Sequence, residues 1–253
     1  GSECVGRIVA AGQRGVGFEP GHEVLVTWPG TFKSYVTVPA EFVFPKPPCL
    51  SVEEAATIPV AFLTADYALN HLGRLGAGDR VLIHAAAGGV GLAAVQLAQR
   101  IGAEIFATAG SPAKRAYLAS LGVTHVFDSR SLQFAADVME ATGGEGVDLV
   151  LNSLAGDFIE RSLGVMRPGG RFLELGKSGI WSAERVAQSY PDVEYHTIYL
   201  GKDEAPVTRV RFAALLDAFA RGELKPLPRR DFSLGEAVGA YRFMAQARHI
   251  GKV

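Results

Sequence analysis

The apolar positions of this chain change their period twice. Over the first 48 residues, β-branched runs at 5–10, 23–27 and 34–38 alternate with Gly/Pro turns, which predicts the strands of a small β lobe. Ser51-Val52-Glu53-Glu54 then reads as a capping box, with Ser51 as N-cap and Glu54 reaching back, and opens a helical region that runs to about Leu72. Beyond it strand and helix patterns alternate, at 81–84, 92–101, 104–108, 112–121, 126–128, 132–141, 147–152, 158–166 and 171–175. That rhythm predicts an α/β fold with a doubly wound parallel sheet. A sixth strand at 195–200 and its helix at 207–220 complete two mononucleotide-binding halves. The tail holds one helix at 234–247 and the start of a strand. The expected organisation is therefore a first lobe over 1–58, a Rossmann domain over 59–225, and a return to the first lobe over 226–253.

One segment carries chemistry on its face. Val81-Leu82-Ile83-His84 passes into Ala85-Ala86-Ala87-Gly88-Gly89-Val90-Gly91 and then directly into a helix. A strand, a glycine-rich turn and a helix in that order form a dinucleotide cradle, because the helix N-terminus offers unpaired N–H groups to a pyrophosphate. Gly88 lets the main chain approach the anion and Gly91 lets helix and strand pack closely. Ala86 stands where this fingerprint usually has its first glycine. The candidate cofactor-binding residues here are Ala86, Gly88, Gly89, Val90 and Gly91. His84, beside the turn, reads as a packing residue.

Composition narrows the field. Lys and Arg (25) nearly cancel Asp and Glu (26), so no global charge recruits nucleic acid or an anionic membrane. The two cysteines, Cys4 and Cys49, lie far apart without a metal-ligand neighbour, which predicts a zinc-free chain in a reducing, cytoplasmic compartment. No apolar run of about 18 residues and no charged-then-apolar leader is visible, so neither a spanning helix nor a secretory signal is expected. At 253 residues two modest lobes are expected rather than one large domain.

The second strand tells which nucleotide. NAD-specific sheets place an acid at its end to hold the ribose 2′-OH, whereas this strand ends Thr108-Ala109-Gly110 with no acid. Ser111 and Lys114 follow, and they can donate hydrogen bonds and charge to a 2′-phosphate. Ser129 and Arg130, just past the third strand, are expected at the same adenosine pocket. The preferred cofactor is thus NADPH, while Arg115 reads as part of a solvated helix face.

With these segments placed, the chain resembles the medium-chain dehydrogenase/reductase superfamily, and within it the enoyl reductase domains of modular polyketide synthases and animal fatty acid synthase. The resemblance rests on Gly1-Ser2-Glu3-Cys4-Val5-Gly6, Ala56-Thr57-Ile58-Pro59 with Phe62-Leu63-Thr64-Ala65, the glycine turn, Val150-Leu151-Asn152-Ser153-Leu154-Ala155-Gly156, Gly170-Arg171-Phe172-Leu173-Glu174-Leu175-Gly176-Lys177, and Phe243 to Lys252. It implies zinc-free hydride transfer from NADPH to the β-carbon of an enoyl thioester carried by an acyl carrier protein, followed by protonation of the α-carbon. It also implies a GroES-like substrate lobe, incomplete at its N-terminal side, and neighbouring synthase domains as partners; oligomeric state is left open. Two departures stand out. The family's segment upstream of Gly-Ser-Glu, with its tyrosine, is not in this chain, and Tyr199 occupies the place of an aspartate proposed as a proton relay.

Hydride addition to the β-carbon drives negative charge onto the thioester oxygen, so the site needs a donor or cation there and an acid near the α-carbon. Lys177, beyond the fifth strand of the parallel sheet, is the catalytic candidate, and partial desolvation is expected to lower its pKa. Asn152, Ser153 and Thr64 are expected to border the nicotinamide, with loop capping the competing role for Asn152. Three other readings stay open: a free-standing NADPH quinone oxidoreductase, a non-catalytic scaffold domain, and an altered reductase performing another step such as ring closure.

Overall fold

The computed structural model describes residues 1–13, 17–201 and 205–253. The chain forms two compact units, one from residues 1–64 with 200–253 and the other from residues 65–199.

In the first unit, strands β1 (Cys4–Arg7), β2 (Glu23–Val26) and β3 (Val43–Pro45) form an antiparallel sheet in that order. The expected strand at 34–38 does not form. β2 has two edges, and Val43–Pro45 takes the one that β1 leaves, burying Val43 and Phe44, while Tyr35 is 76% exposed. Helix α1 (Val52–Ala55) starts at the expected capping box: Ser51 Oγ accepts from Glu54 N at 3.1 Å and Glu54 Oε2 accepts from Ser51 N at 2.9 Å. It is only one turn long. Helix α2 (Pro59–Asp66) follows and runs on into a π-helical turn, Tyr67–Leu72.

The second unit is the parallel sheet and its helices. Its elements are β4 (Arg80–Ile83), α3 (Gly89–Ile101), β5 (Glu104–Ala109), α4 (Pro112–Ser120), β6 (His125–Asp128), α5 (Phe134–Ala141), β7 (Val147–Asn152), α6 (Asp157–Leu163), β8 (Met166–Glu174), α7 (Ala183–Ser189) and β9 (Glu194–Thr197). The six strands pair in parallel in the order β6-β5-β4-β7-β8-β9. One row of register partners, His125, Phe106, Leu82, Val150, Phe172 and Tyr195, crosses the whole sheet. Phe134, Val138, Ile159 and Leu163 pack on the buried members of that row, so the core is built on strands buried on both faces. The order reverses between β4 and β7, and the crevice beyond their carboxyl ends is where such sheets bind ligands.

Helix α8 (Ala205–Ala220) belongs with the first unit, not with the sheet that its sequence position was expected to complete. Phe212 meets Phe44 edge-on at 4.7 Å and Phe219 meets Phe62 at 4.8 Å between ring centroids. A 3-10 turn, Leu234–Glu236, leads into α9 (Ala237–Ala245), and Leu227 N donates to the Thr57 hydroxyl at 3.1 Å. Among the described residues no helix is long and apolar enough to cross a membrane.

Candidate active site

The glycine turn is built as a tight staple. Gly88 N donates to the Ala85 carbonyl at 2.9 Å, and Ala86 N donates to the Thr108 carbonyl at 3.0 Å, pinning the turn to β5. Gly88 is the extended N-cap of α3, and the first helical bond at this end is Leu92 N to the Gly88 carbonyl at 2.9 Å. The N–H groups of Gly89, Val90 and Gly91 precede it and are the free donors of a helix N-terminus. A methyl on Gly91 would stand 2.6 Å from both the Ala85 oxygen and the Ala86 Cα, which are backbone atoms that cannot yield. Only glycine fits there. Ala86 is fully buried, so it spaces the turn without presenting its side chain. The left-handed residue of the turn is Ala85, with φ 48°, one position earlier than the expected first glycine.

Beside this turn the end of β6 sets Ser129 and Arg130 against Gly110, and Ser111 and Lys114 open the helix that follows β5. Arg130 Nε and Ser129 Oγ lie 3.1 and 3.4 Å from the point where a Gly110 methyl would be. Ser111 caps α4, its hydroxyl accepting from Lys114 N at 3.4 Å. Burial, and then the charge of Arg130, push the Lys114 ammonium below its ordinary value. The acid in the neighbourhood, Asp128, is engaged: its Oδ2 pairs with Arg115 at 3.1 Å and its Oδ1 accepts from Arg130 N at 2.9 Å. Arg115 also donates to the Ala109 carbonyl at 3.1 Å, so its charge braces the strand ends.

His84 is a satisfied core residue. The Ser162 hydroxyl gives its proton to the Phe158 carbonyl at 2.6 Å, so it can only accept from His84 Nε2 at 2.8 Å. Nδ1 therefore accepts from the Thr108 hydroxyl at 2.9 Å. Burial holds the imidazole neutral, with its pKa pushed down to about 3.

At the ends of β7 and β8 the arrangement holds a residue that sequence reasoning passed over. Asn152 and Glu174 are register partners and both are buried; Asn152 Nδ2 donates to Glu174 Oε2 at 2.7 Å and to the Leu154 carbonyl at 2.8 Å. Both amide donors of Asn152 are thus committed to loop and strand. Ser153 and Lys177 are exposed on the loops that follow. Lys177 stands three residues beyond the last paired position of β8. Tyr199 is also exposed, at 70%, while Tyr195 donates to the Trp181 carbonyl at 3.1 Å and burial pushes its phenol up to about 12. Thr64 is half-buried in α2.

The second unit thus gathers a glycine turn at a helix N-terminus and two loops at the carboxyl ends of one parallel sheet, which is the layout of a nicotinamide-dependent oxidoreductase. A family model described as zinc-binding dehydrogenase matches residues 89–196. The metal of that description does not fit this chain's donor set: among the described residues no group of three or more His, Cys, Asp or Glu could hold an ion, and Cys4 and Cys49 are free thiols. A component of the phenolphthiocerol/phthiocerol polyketide synthase of Mycobacterium tuberculosis is 44% identical over 262 residues, which cover 100% of this chain and 12% of that protein. The chain therefore spans only a small part of the length of this relative. The crystal structure of CurK enoyl reductase superposes with a TM-score of 0.94 at 47% identity, covering 98% of this chain and 76% of that one. The CurF ER cyclopropanase from the curacin A biosynthetic pathway superposes equally well, with a TM-score of 0.94 at 41% identity over 99% of this chain and 76% of that one. The chain belongs to the enoyl reductase family of polyketide synthases, within the medium-chain dehydrogenase/reductase superfamily.

Proposed function

We propose that this chain is an NADPH-dependent enoyl-thioester reductase acting in the cytoplasm on an acyl chain tethered to an acyl carrier protein, alongside other synthase domains. The parallel-sheet unit takes the cofactor, and the unit with the antiparallel sheet serves the substrate. The observation that carries the cofactor choice is the pair Ser129 and Arg130 against Gly110, with Ser111 and Lys114 opening the next helix, at a strand end that lacks the acid of NAD-type sheets. Two cations and two hydroxyls match a phosphate monoester.

Gly89, Val90 and Gly91 would take the pyrophosphate on their N–H groups, with Gly88 letting the main chain approach the anion, and Asn152 and Ser153 would border the nicotinamide. When bound, the reduced nicotinamide supplies a hydride to the β-carbon of the alkene. Lys177 is the group that answers the resulting charge: its ammonium stabilises the developing oxyanion of the thioester and supplies the proton that the α-carbon requires. Family membership favours this reading over a free-standing quinone oxidoreductase, because the Asn-Ser-Leu-Ala-Gly and Glu-Leu-Gly-Lys segments lie at the ends of β7 and β8, next to the proposed nicotinamide site.

A second reading has a specific observation behind it, since a cyclopropanase superposes as well as an enoyl reductase does. The deciding experiment gives the full-length protein NADPH and crotonyl-pantetheine, following cofactor absorbance and product mass. The expected result is cofactor oxidation with a product heavier by two hydrogens. Tight NADPH binding without conversion of any enoyl thioester would replace reduction by a scaffold role, and a ring-closed product from a suitably activated chain would replace it by the altered chemistry.

A further inference from the structure

Glu174 is a carboxylate placed where a neutral residue would cost less, since it is buried at the last paired position of β8. Both of its oxygens are used. Oε2 accepts from Asn152 Nδ2 at 2.7 Å, and Oε1 accepts from Gly176 N at 2.6 Å. Asn152 passes the constraint on, because its oxygen accepts from Leu154 N at 3.1 Å while its second amide hydrogen goes to the Leu154 carbonyl. A side-chain amide at 174 offers one acceptor where these two donors need two. Gly176 fits the carboxylate closely, for a methyl there would lie 2.6 Å from Glu174 Oε1 and 2.9 Å from Ile180 Cγ2. Lys177 is the next residue.

We propose that Glu174 is the positioning residue for Lys177: its carboxylate locks the loop after β8 to the loop after β7 and so fixes where Lys177 leaves the sheet. The inference rests on the reading of Lys177 as the group that answers charge on the substrate. It explains why an exposed lysine on a loop is held at all, since the clamp begins at the residue before it. It also joins both segments that mark the family, Asn152 to Gly156 and Glu174 to Lys177, in one device.

The test compares Glu174→Gln, Gly176→Ala and Lys177→Ala in the full-length protein with NADPH and crotonyl-pantetheine. Glu174→Gln is expected to lower kcat roughly 10- to 100-fold, the scale of a displaced reacting group, with the Michaelis constant for NADPH unchanged. Gly176 lies outside the left-handed region, so its added methyl acts by contact alone and should reproduce that signature. If Glu174→Gln does not fold, Gly176→Ala carries the test. Wild-type kcat in both Glu174→Gln and Gly176→Ala would overturn the proposal. Wild-type turnover in Lys177→Ala would instead remove the reading on which it rests.

Discussion

Glu3 and Lys252, 249 positions apart, form an ion pair that closes the first unit between its two separate stretches of chain. The other oxygen of Glu3 accepts from Val60 N at 2.8 Å, so one carboxylate holds β1, the start of α2 and the tail together. Both side chains are largely buried, with 25% of Lys252 and 17% of Glu3 exposed.

Glu3→Gln keeps an acceptor for Val60 but loses the charge that Lys252 faces. The expected cost is about 1.5–3 kcal/mol, the range for a hydrogen bond to a charged group. Urea denaturation of the two proteins measures it, and equal midpoints would show that the pair contributes nothing net.

Lys114→Ala removes the cation in the first turn of α4, which follows the acid-free end of β5. The Michaelis constant for NADPH should rise about tenfold or more, while use of NADH, which lacks the 2′-phosphate, stays nearly unchanged. Equal effects on both cofactors would move the phosphate elsewhere.

Gly91→Ala forces a methyl against two backbone atoms at 2.6 Å. Loss of about 1–3 kcal/mol of stability is expected, together with weaker NADPH binding as the helix end retreats from the turn. Calorimetric titration with NADPH checks the second effect, and unaltered affinity would detach the turn from the cofactor.

His84 makes stability depend on acid. Its folded pKa of about 3 lies below the ordinary 6.5, so the unfolded chain binds the extra proton between those values. Its contribution is complete above pH 6.5 and is lost progressively as the pH falls toward about 3. His84→Gln should therefore be less stable than the parent at pH 7.5, and the deficit should shrink at pH 4.5. A deficit that does not change with pH would mean that the imidazole is not held neutral.

Features set by near neighbours were legible in the sequence. The capping box at Ser51, the glycine turn, the strand–helix rhythm of the second unit and the packing role of His84 all follow from residue types within one or two elements. Features decided by distant partners were not. Residues 34–38 alternate like a strand, yet pairing went to Val43–Pro45, which had the buried edge of β2 to fill. Phe212, Leu215, Leu216 and Phe219 mark a buried face of α8, but nothing local names Phe44 and Phe62 as what lies against it. Helix α7 was passed over, although Ser182 caps it in the usual way. Glu174 sat inside a segment already singled out, and its partner lies 22 residues away. The signal that could have found it is an acid in the last apolar position of a buried strand.

The split composition of the first unit has a consequence for biosynthesis. Residues 65–199 emerge from the ribosome as one uninterrupted stretch and can close their sheet at once. The other body must wait, since Thr57 meets Leu227, and Glu3 meets Lys252, only after the intervening polypeptide has been translated. Until then its β1–β2–β3 ribbon lacks the partners that residues 200–253 bring.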